Sequence, residues 1–228
     1  HSQDGRKGEH PGGSMRALTY AVGDLHGRFD LLCEAMRLAE VDCGDRDGTF
    51  VICGDFIDRG PQSRQIIDLL MNGPTLPNWT WVVLMGNHED MMLQCIKARQ
   101  FSWWTGNGGG ETLRSYGYNH GDTIAPLRIP VEHLEWLEAL PVFYMDKHRA
   151  FVHAGFNPAL SIDEQDKQEM MWVRDKRDTD YAYAGRHVVH GHEQYADGPI
   201  LNANKSNIDT FAWMYGRLVV AVFRDELE

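Results

Sequence analysis

The sequence predicts a single globular domain of the α/β (α+β) class. Short apolar or β-branched runs alternate with amphipathic stretches in the first half of the chain, and strands with few helices between them follow in the second half. The 228 residues include 43% hydrophobic and 24% charged side chains, which is the normal composition of a domain with its own core. This composition excludes disordered, collagen-like and disulfide-stapled chains.

The first residues of the chain are set apart from this domain. His1–Ser14 are polar, glycine-rich and aperiodic, and they end at Met15, directly before the first apolar strand. This pattern is typical of the remnant of an expression tag, so we exclude residues 1–14 from the fold prediction. Residues 15–228 are predicted to form one domain, because the sequence shows no internal repeat and no interdomain linker.

Three strand and helix pairs open the predicted domain. Their strands are the apolar runs Leu18–Val22, Thr49–Cys53 and Trp81–Met85. Each run precedes apolar residues at helical spacing, from Phe29 to Ala39, from Ile66 to Leu70 and from Met91 to Ile96. Pro61 is predicted at the first position of the second helix, where its missing N–H costs nothing.

The remainder of the domain is predicted to contain more strands than helices. The glycine-rich stretch Gly106–Gly110 and the segment Tyr116–Asp122 predict loops. Helices are predicted over Val131–Leu140 and Glu164–Trp172. Five further strands are predicted at Val142–Met145, Ala150–Val152, His187–Val189, Ile200–Leu201 and Leu218–Phe223.

Composition also limits the partners and the compartment. The net charge of −11 argues against nucleic acid as a partner, because such binding depends on Lys and Arg that neutralise phosphates. The longest apolar runs are far shorter than the roughly 18 to 20 residues of a membrane helix, so no membrane association is expected. The four cysteines form no CxxC pair and are typical of buried thiols in a reducing compartment. With no secretory leader recognised, we expect a cytoplasmic protein.

Polar side chains recur at the ends of the predicted strands. Five apolar runs end directly at a metal-capable or acid–base residue, usually across a glycine, in the segments AVGDLHG, VICGDFIDRG, VVLMGNHED, AFVHAG and HVVHGH. In sheets flanked by helices, ligands gather outside the carboxyl ends of the strands, and glycine permits the sharp turn that this requires. We therefore expect the five strand ends to converge on one cleft.

The first two of these segments supply carboxylates and an imidazole. Asp24 and His26 are two residues apart, so in extended backbone both side chains project from the same side and can bind one metal ion. Asp55 supplies a carboxylate that can bridge two cations. Oxygen and imidazole donors without thiolate favour Mn, Fe or Zn. The pattern therefore predicts a two-metal hydrolase, in which the ions lie about 3.5 to 4 Å apart.

The other segments complete the predicted site. Asn87 and His88 are adjacent and in extended backbone point in opposite directions, so one suits a metal ion while the other faces the substrate. His153 and one of His190 or His192 would complete the ligand set, and the spacing alone does not choose between the last two. Each motif also has a structural alternative, because a lone aspartate can cap a helix and a lone histidine can belong to the core. The coincidence of five strand ends favours a functional site.

The same five segments carry a family resemblance. GDLHG at 23–27, GDFIDRG at 54–60, GNHE at 86–89, HAG at 153–155 and the Gly191–His192 pair resemble the signature of the phosphoprotein phosphatase branch of calcineurin-like metallophosphoesterases, of the bacterial and phage type. The resemblance implies a four-layer sandwich in which two mixed β-sheets are flanked by helices. It also implies a pair of divalent cations, most readily Mn²⁺, with Fe or Zn as alternatives.

The resemblance assigns the residues of the predicted site to roles. It implies that Asp24, His26 and Asp55 bind the first cation, and that Asp55, Asn87, His153 and His192 bind the second, which leaves His190 outside. A water activated by the two cations would attack phosphorus in line. The family pattern implies that His88 is the acid that protonates the leaving group and that Asp58 orients it.

Two arginines are predicted to bind the phosphoryl oxygens. Arg59 offers a planar fork of N–H donors, and Arg174 in the WVR segment resembles the second arginine of such phosphatases. The structural alternative for Arg174 is a surface side chain that lies over Trp172.

The DRG and GNHE forms favour a serine/threonine protein phosphatase with phosphoproteins as substrates. The alternatives are a symmetric dinucleoside tetraphosphate hydrolase, whose pattern tends to have alanine at the position of Asp58 and GNHD at that of Glu89, and a hydrolase of small phosphoesters. A non-catalytic binding module is disfavoured because no ligand is missing. The adjacent Trp103 and Trp104 could stack an aromatic substrate, but such a pair is more often a partly buried anchor.

Overall fold

The structure, a computed structural model, describes residues 17–174 and 179–225. The predicted tag remnant at residues 1–14 lies outside the described residues. The described chain forms two mixed β-sheets that pack face to face with helices on the outer sides, which confirms the predicted fold class. Among the described helices, none is long and apolar enough to cross a membrane.

The first sheet has four strands in the order β3-β2-β1-β9. They are β1 (Leu18–Val22), β2 (Gly48–Ile52), β3 (Trp79–Val83) and β9 (Ala221–Phe223). The first three are parallel, and β9 pairs antiparallel with β1. The helices that follow β1, β2 and β3 are α1 (Phe29–Cys43), α2 (Ser63–Asn72) and α3 (Asn87–Ala98). All three parallel strands therefore end at the same edge of the sheet.

The second sheet has five strands in the order β4-β5-β6-β8-β7. They are β4 (Phe143–Met145), β5 (Arg149–Val152), β6 (His187–His190), β7 (Ile200–Leu201) and β8 (Lys205–Asn207). The central strands β5, β6 and β8 are parallel, and β4 and β7 pair antiparallel at the edges. The remaining helices are α4 (Ser102–Trp104), α5 (Gly110–Ser115), α6 (Val131–Glu138), α7 (Lys167–Trp172) and α8 (Ala212–Tyr215).

Alternating side chains along the strands build separate apolar layers. Tyr20 and Val22 of β1 pack against the helices, whereas Ala21 between them faces the second sheet. On β2, Phe50 and Ile52 likewise face the helices. This alternation places one layer of the core between the two sheets and one on each outer face, which is the four-layer arrangement that the family resemblance implies.

The structure corrects several predicted boundaries. Helix α2 begins at Ser63, two residues after Pro61, because Pro61 lies in the turn that carries the chain into the helix. The predicted loop Gly106–Gly110 is helical, since a π-helical turn over Thr105–Gly109 joins α4 to α5, with its kink at Asn107 and Gly108. The last predicted strand is shorter than expected and covers only β9.

Strand β8 and helix α8 do not follow from the apolar pattern. The β8 sequence Lys205-Ser206-Asn207 is polar, yet all three residues are buried in the second sheet. The polar groups of two of these residues contact other parts of the chain. The Lys205 ammonium lies 4.6 Å from the centre of the Tyr181 ring, and the Asn207 amide donates to the carbonyl oxygen of Glu193. Tertiary contacts therefore override the weak strand propensity of this segment.

A buried arginine links the two sheets. Arg149 of β5 is buried and donates to both carboxylate oxygens of Asp225, two residues after β9, and to Asp146. Hydrogen bonding to the Arg149 guanidinium lowers the pKa of Asp225 below its ordinary value of 3.8. Because a lowered carboxylate pKa stabilises the fold above that value, Asp225→Asn is expected to cost about 1 kcal/mol at pH 7.

The same substitution is expected to have less effect in acid. As pH falls through the lowered pKa, the wild-type Asp225 becomes protonated and loses the interaction that the variant already lacks. Urea denaturation at pH 7, 5 and 3 measures the difference in the free energy of unfolding. A difference that stays constant over this range would rule out an ionic contribution from Asp225.

Candidate active site

The ends of the parallel strands converge on one cleft, as the sequence predicts. The cleft has a volume of about 230 Å³ and contains eight of the ten predicted site residues. These eight residues are Asp24, His26, Asp55, Arg59, Asn87, His88, Arg174 and His192. The other two, Asp58 and His153, are fully buried behind its wall. A further residue in the lining, Gln194, was not predicted.

Unusual backbone conformations bring these side chains together. Five of the ten predicted residues have φ in the left-handed region: His26, Asp55, Asp58, Arg59 and His192. Such conformations cost about 1 to 3 kcal/mol for residues other than glycine, and they persist only where the surrounding structure imposes them. Each of the five directly follows a strand or lies in the turn after it. The strain is therefore concentrated at the cleft.

Glu89 holds the turn that carries Asp55. Its buried carboxylate accepts hydrogen bonds from the backbone N–H groups of Asp55 at 2.9 Å, Phe56 at 3.0 Å, Ile57 at 3.2 Å and Gly86 at 2.8 Å. One side chain on α3 thus satisfies the donors of the turn after β2 and caps its own helix. The GNHE motif therefore has a structural function in addition to presenting Asn87 and His88.

The first group of side chains surrounds Nε2 of His26. This atom lies 3.7 Å from Oδ2 of Asp24 and 3.7 Å from Oδ2 of Asp55. Nδ1 of His26 donates to the carbonyl oxygen of Ile57 at 2.8 Å, so the neutral ring presents the lone pair of Nε2 to the two carboxylates. Metal-binding histidines characteristically donate their other nitrogen to a carbonyl in this way.

The second group surrounds Oδ1 of Asn87. Nε2 of His153 lies 2.8 Å from this oxygen, and Nδ1 of His192 lies 3.0 Å from it. His153 donates from Nδ1 to the carbonyl oxygen of Cys53 at 2.7 Å, and its Nε2 also lies 3.4 Å from Oδ1 of Asp55. Asp55 therefore contacts both groups, through Oδ2 on one side and Oδ1 on the other.

The pKa shifts of two of these residues, His192 and Asp55, suit the binding of divalent cations. Burial lowers the pKa of His192 to about 3, with a contribution from His153, so this imidazole is neutral and able to bind a metal ion at neutral pH. Although burial opposes its charge, His153 and His88 hold the pKa of Asp55 well below its ordinary value. Within the described residues, Nε2 of His192 is buried without a hydrogen-bond partner. Neutral imidazoles and ionised carboxylates form the donor set of a hydrolytic two-metal site.

His88 and Asp58 form a hydrogen-bonded pair beside the cation site. Nδ1 of His88 lies 2.7 Å from Oδ2 of Asp58, and Nε2 lies 3.9 Å from Oδ2 of Asp55. Burial opposes the charged imidazole, but Asp55 and Asp58 together raise the pKa of His88. Geometry alone also groups His88 with His26 and Asp55 as a possible metal ligand. The hydrogen bond to Asp58 fixes the orientation of the ring and leaves Nε2 beside Asp55 and Arg59.

Trp104 orients Asp58, which corrects the alternative that this ring stacks a substrate. Trp104 is fully buried, and its Nε1 donates to both carboxylate oxygens of Asp58 at 2.9 and 3.0 Å. The hydroxyl of Thr112 donates to Oδ1 of the same carboxylate at 2.7 Å. Trp103 is 46% exposed and stacks on Trp172 with the ring centres 5.6 Å apart. Trp104 therefore supports His88 indirectly and contacts no substrate.

Replacing Trp104 is expected to destabilise the protein. Trp104→Phe keeps an aromatic ring but removes the donor to the buried Asp58 carboxylate, for which we expect a loss of about 1 to 3 kcal/mol. Chemical denaturation measures this loss. The matched control is Trp103→Phe on the exposed neighbour, where the expected change is within about 0.5 kcal/mol. Equal effects of the two substitutions would contradict the role assigned to Trp104.

The two predicted arginines reach the same cleft. Nη2 of Arg59 lies 3.3 Å from Nε2 of His88, and the backbone N–H of Arg59 donates to the carbonyl oxygen of Gly108 at 3.1 Å. Arg174 is exposed and contributes to the cleft lining. Its position there favours a role in the cleft over the alternative in which it only covers Trp172.

Asp209 is a buried residue of the site that the sequence analysis missed. Burial raises the pKa of Asp24 well above its ordinary value, and the nearby carboxyl group of Asp209 raises it further. Burial also raises the pKa of Asp209 itself, to about 6. It follows β8, so it is a further acidic residue just beyond a strand end. Because the sequence of β8 is polar, this strand was not predicted, and the position of Asp209 beyond a strand end was therefore not recognised. His190, by contrast, does not line the cleft, and its Nδ1 lies 3.0 Å from the carbonyl oxygen of Gly191.

Comparison with known proteins identifies the family. The model of the calcineurin-like phosphoesterases matches residues 18–219, which includes every predicted site residue. The chain belongs to this family. The match confirms the resemblance seen in the sequence, and it makes this phosphoesterase a hydrolase of phosphoesters. Members of the family depend on two metal ions, in agreement with the donor set described above.

Relatives of this phosphoesterase have two different specificities. Over 160 residues it is 31% identical to serine/threonine-protein phosphatase 1 of Salmonella typhimurium, and the match covers 69% of this chain and 68% of that protein. It is 28% identical to the symmetrical bis(5'-nucleosyl)-tetraphosphatase of Neisseria meningitidis over 149 residues, 63% of this chain and less than half, 45%, of that relative.

A solved structure shares the fold of this phosphoesterase. It belongs to a protein provisionally described as a diadenosine tetraphosphatase, and it covers 90% of this chain and 89% of its own with a TM-score of 0.64. At 22% identity, this likeness supports the fold and carries no assignment of substrate.

Proposed function

We propose that this phosphoesterase is a serine/threonine protein phosphatase that acts with two divalent cations, most readily Mn²⁺ and alternatively Fe or Zn. Asp24, His26 and Asp55 are the proposed ligands of one cation. Asp55, Asn87, His153 and His192 are the proposed ligands of the other. The bound cations supply positive charge that stabilises the phosphoryl oxygens and lowers the pKa of the attacking water.

The pair formed by His88 and Asp58 carries the proposal. A serine or threonine alkoxide is a strongly basic leaving group and needs a proton as the phosphorus–oxygen bond breaks. The leaving group of a dinucleoside polyphosphate is a phosphate, with a pKa of about 6 to 7, and departs readily without one. The 2.7 Å hydrogen bond that orients His88 is therefore most useful for an alkyl phosphate.

The side chains of the cleft divide the remaining tasks. His88 donates the proton on Nε2 to the leaving oxygen, while Asp58 accepts the hydrogen bond from Nδ1 and stabilises the charged imidazole. Arg59 and Arg174 bind phosphoryl oxygens and hold the phosphorus in line with the attacking water. The hydrogen bonds of Trp104 and Thr112 prevent Asp58 from rotating away from His88.

A second candidate is the symmetric hydrolysis of dinucleoside tetraphosphates. The 28% identity to the relative from Neisseria meningitidis favours it. Against it, the structure offers no base-stacking role for Trp104, because this ring is buried against Asp58.

Side-by-side kinetics distinguish the two candidates. We expect kcat/KM of the Mn²⁺-loaded protein to be about 10-fold or more higher on a panel of phosphoserine and phosphothreonine peptides than on diadenosine tetraphosphate. The opposite preference would replace the protein phosphatase assignment with the nucleotide one. Equal and low values on both, with high activity on small phosphoesters, would indicate a small-molecule phosphoesterase.

A further inference from the structure

The guanidinium group of Arg59 is held by two side chains that no sequence motif predicts. With the Gln194 amide oriented so that its oxygen faces the two donors, Oε1 accepts from Nη1 of Arg59 at 2.6 Å and from Nε1 of Trp213 at 3.2 Å. The Arg59 guanidinium carbon also lies 5.4 Å from the centre of the Trp213 ring. We infer that Gln194 and Trp213 form a clamp that positions Arg59 for the phosphoryl group.

The clamp acts on the guanidinium end of the Arg59 side chain. The backbone of Arg59 is already fixed, because its φ of +65° is left-handed and its N–H donates to the carbonyl oxygen of Gly108. A long arginine side chain has many rotamers, so additional contacts are needed to hold its guanidinium group in one position. With Nη1 bound to Gln194, Nη2 lies 3.3 Å from Nε2 of His88. We expect the leaving group and the phosphoryl oxygens to bind at this position.

The chemistry of the acceptor suits anion binding. An amide oxygen accepts from the guanidinium without cancelling its charge, whereas a carboxylate at the same position would pair with Arg59 and compete with the substrate. Gln194 also lines the cleft, so the clamp is adjacent to the bound phosphoryl group. Both features indicate that Gln194 tunes the affinity for phosphate and does not merely fill space.

The β8–β9 segment holds Trp213 in position. Phe211, just before α8, has a left-handed φ of +59°, and its N–H donates to Oδ1 of Asp209 at 2.9 Å. The Phe211 and Trp213 rings meet edge to face with their centres 5.4 Å apart. Trp213 also meets the ring of the proposed ligand His26 edge-on at 6.4 Å. The clamp is thus built from segments that follow β6 and β8 and closes on an arginine that follows β2.

The inference rests on the proposed role of Arg59, and its test measures phosphate binding directly. Inorganic phosphate is a product of phosphomonoester hydrolysis, so its inhibition constant against p-nitrophenyl phosphate reports on Arg59 whichever natural ester is preferred. We expect Gln194→Ala to raise this constant about 10-fold, as for the loss of a hydrogen bond to a charged group. Trp213→Phe keeps the ring but removes the donor, and we expect a rise of about 3- to 10-fold.

A double-mutant cycle separates positioning from a general structural effect. In an Arg59→Ala background, Gln194→Ala should have no further effect on phosphate inhibition, because the group that it positions is gone. The affinity for Mn²⁺ and the thermal stability should stay near wild type in Gln194→Ala. The matched control is Gln100→Ala, on an exposed glutamine, for which the inhibition constant should not change.

Three outcomes would overturn the clamp. They are an unchanged phosphate constant in Gln194→Ala, an equal effect of Gln194→Ala with and without Arg59, and no inhibition of the wild type by phosphate. A failure of the protein phosphatase proposal is distinct from these, because it would appear as low activity on phosphopeptides while the wild type still hydrolyses p-nitrophenyl phosphate and is still inhibited by phosphate.

Discussion

Asp55→Asn is expected to abolish the binding of both cations and to lower kcat about 10³-fold or more, which corresponds to the several kcal/mol that metal ions contribute to such reactions. The physical reason is that each of the two carboxylate oxygens of Asp55 contacts a different group of proposed ligands. Its Oδ2 lies 3.7 Å from Nε2 of His26, and its Oδ1 lies 3.4 Å from Nε2 of His153. The amide removes the negative charge that both cations would share.

Isothermal titration with Mn²⁺ and steady-state kinetics measure these effects. Because asparagine has nearly the same shape as aspartate, circular dichroism should show an intact fold. The matched control is Asp45→Asn on an exposed aspartate, which should bind Mn²⁺ as the wild type does. Retention of both ions and full activity by Asp55→Asn would show that Asp55 is not the shared ligand.

His88→Asn is expected to lower kcat on phosphoserine peptides by about 10² to 10⁴, the usual contribution of a general acid. The loss should be much smaller on p-nitrophenyl phosphate, since its leaving group is a weak base and needs little protonation. The affinity for Mn²⁺ should remain unchanged, because Nδ1 of His88 is hydrogen-bonded to Asp58 and Nε2 is assigned to the proton and not to a cation.

The comparison of the two substrates tests the role of His88 as well as its importance. Equal losses on both substrates together with weaker Mn²⁺ binding would make His88 a metal ligand, as its place near His26 and Asp55 also permits. Asp58→Asn should reproduce the dependence on leaving group in weaker form. The exposed His120→Asn serves as the control and should leave both activities unchanged.

Much of the fold follows from local patterns. The three parallel strands of the first sheet and their helices are visible as apolar runs and helical spacing, because β1 and β2 are buried on both faces and each helix on one. The predicted start of helix α2 was wrong because Pro61, a residue typical of the first helical position, lies in the turn before the helix. Strand β8 escaped prediction because its polar residues are stabilised by partners from distant parts of the chain.

The choice between His190 and His192 shows how the two kinds of information combine. Their spacing left both open, and the family resemblance favoured His192. In the structure, the turn at Gly191 is so close to Asp24 that a Cβ on Gly191 would lie 2.4 Å from Oδ1 of Asp24. This close approach needs glycine, and it brings His192 to Asn87, while His190 stays in the second sheet.

By itself, the sequence determined the fold class, the family and most of the residues of the cleft, because these depend on short motifs at strand ends and on topology that brings such ends together. Only the tertiary structure decided what supports them: Trp104 behind Asp58, Glu89 under the Asp55 turn, Asp209 beside Asp24, and Gln194 with Trp213 on Arg59. These partners are far apart in the chain, and each contact depends on tertiary packing that no local pattern encodes.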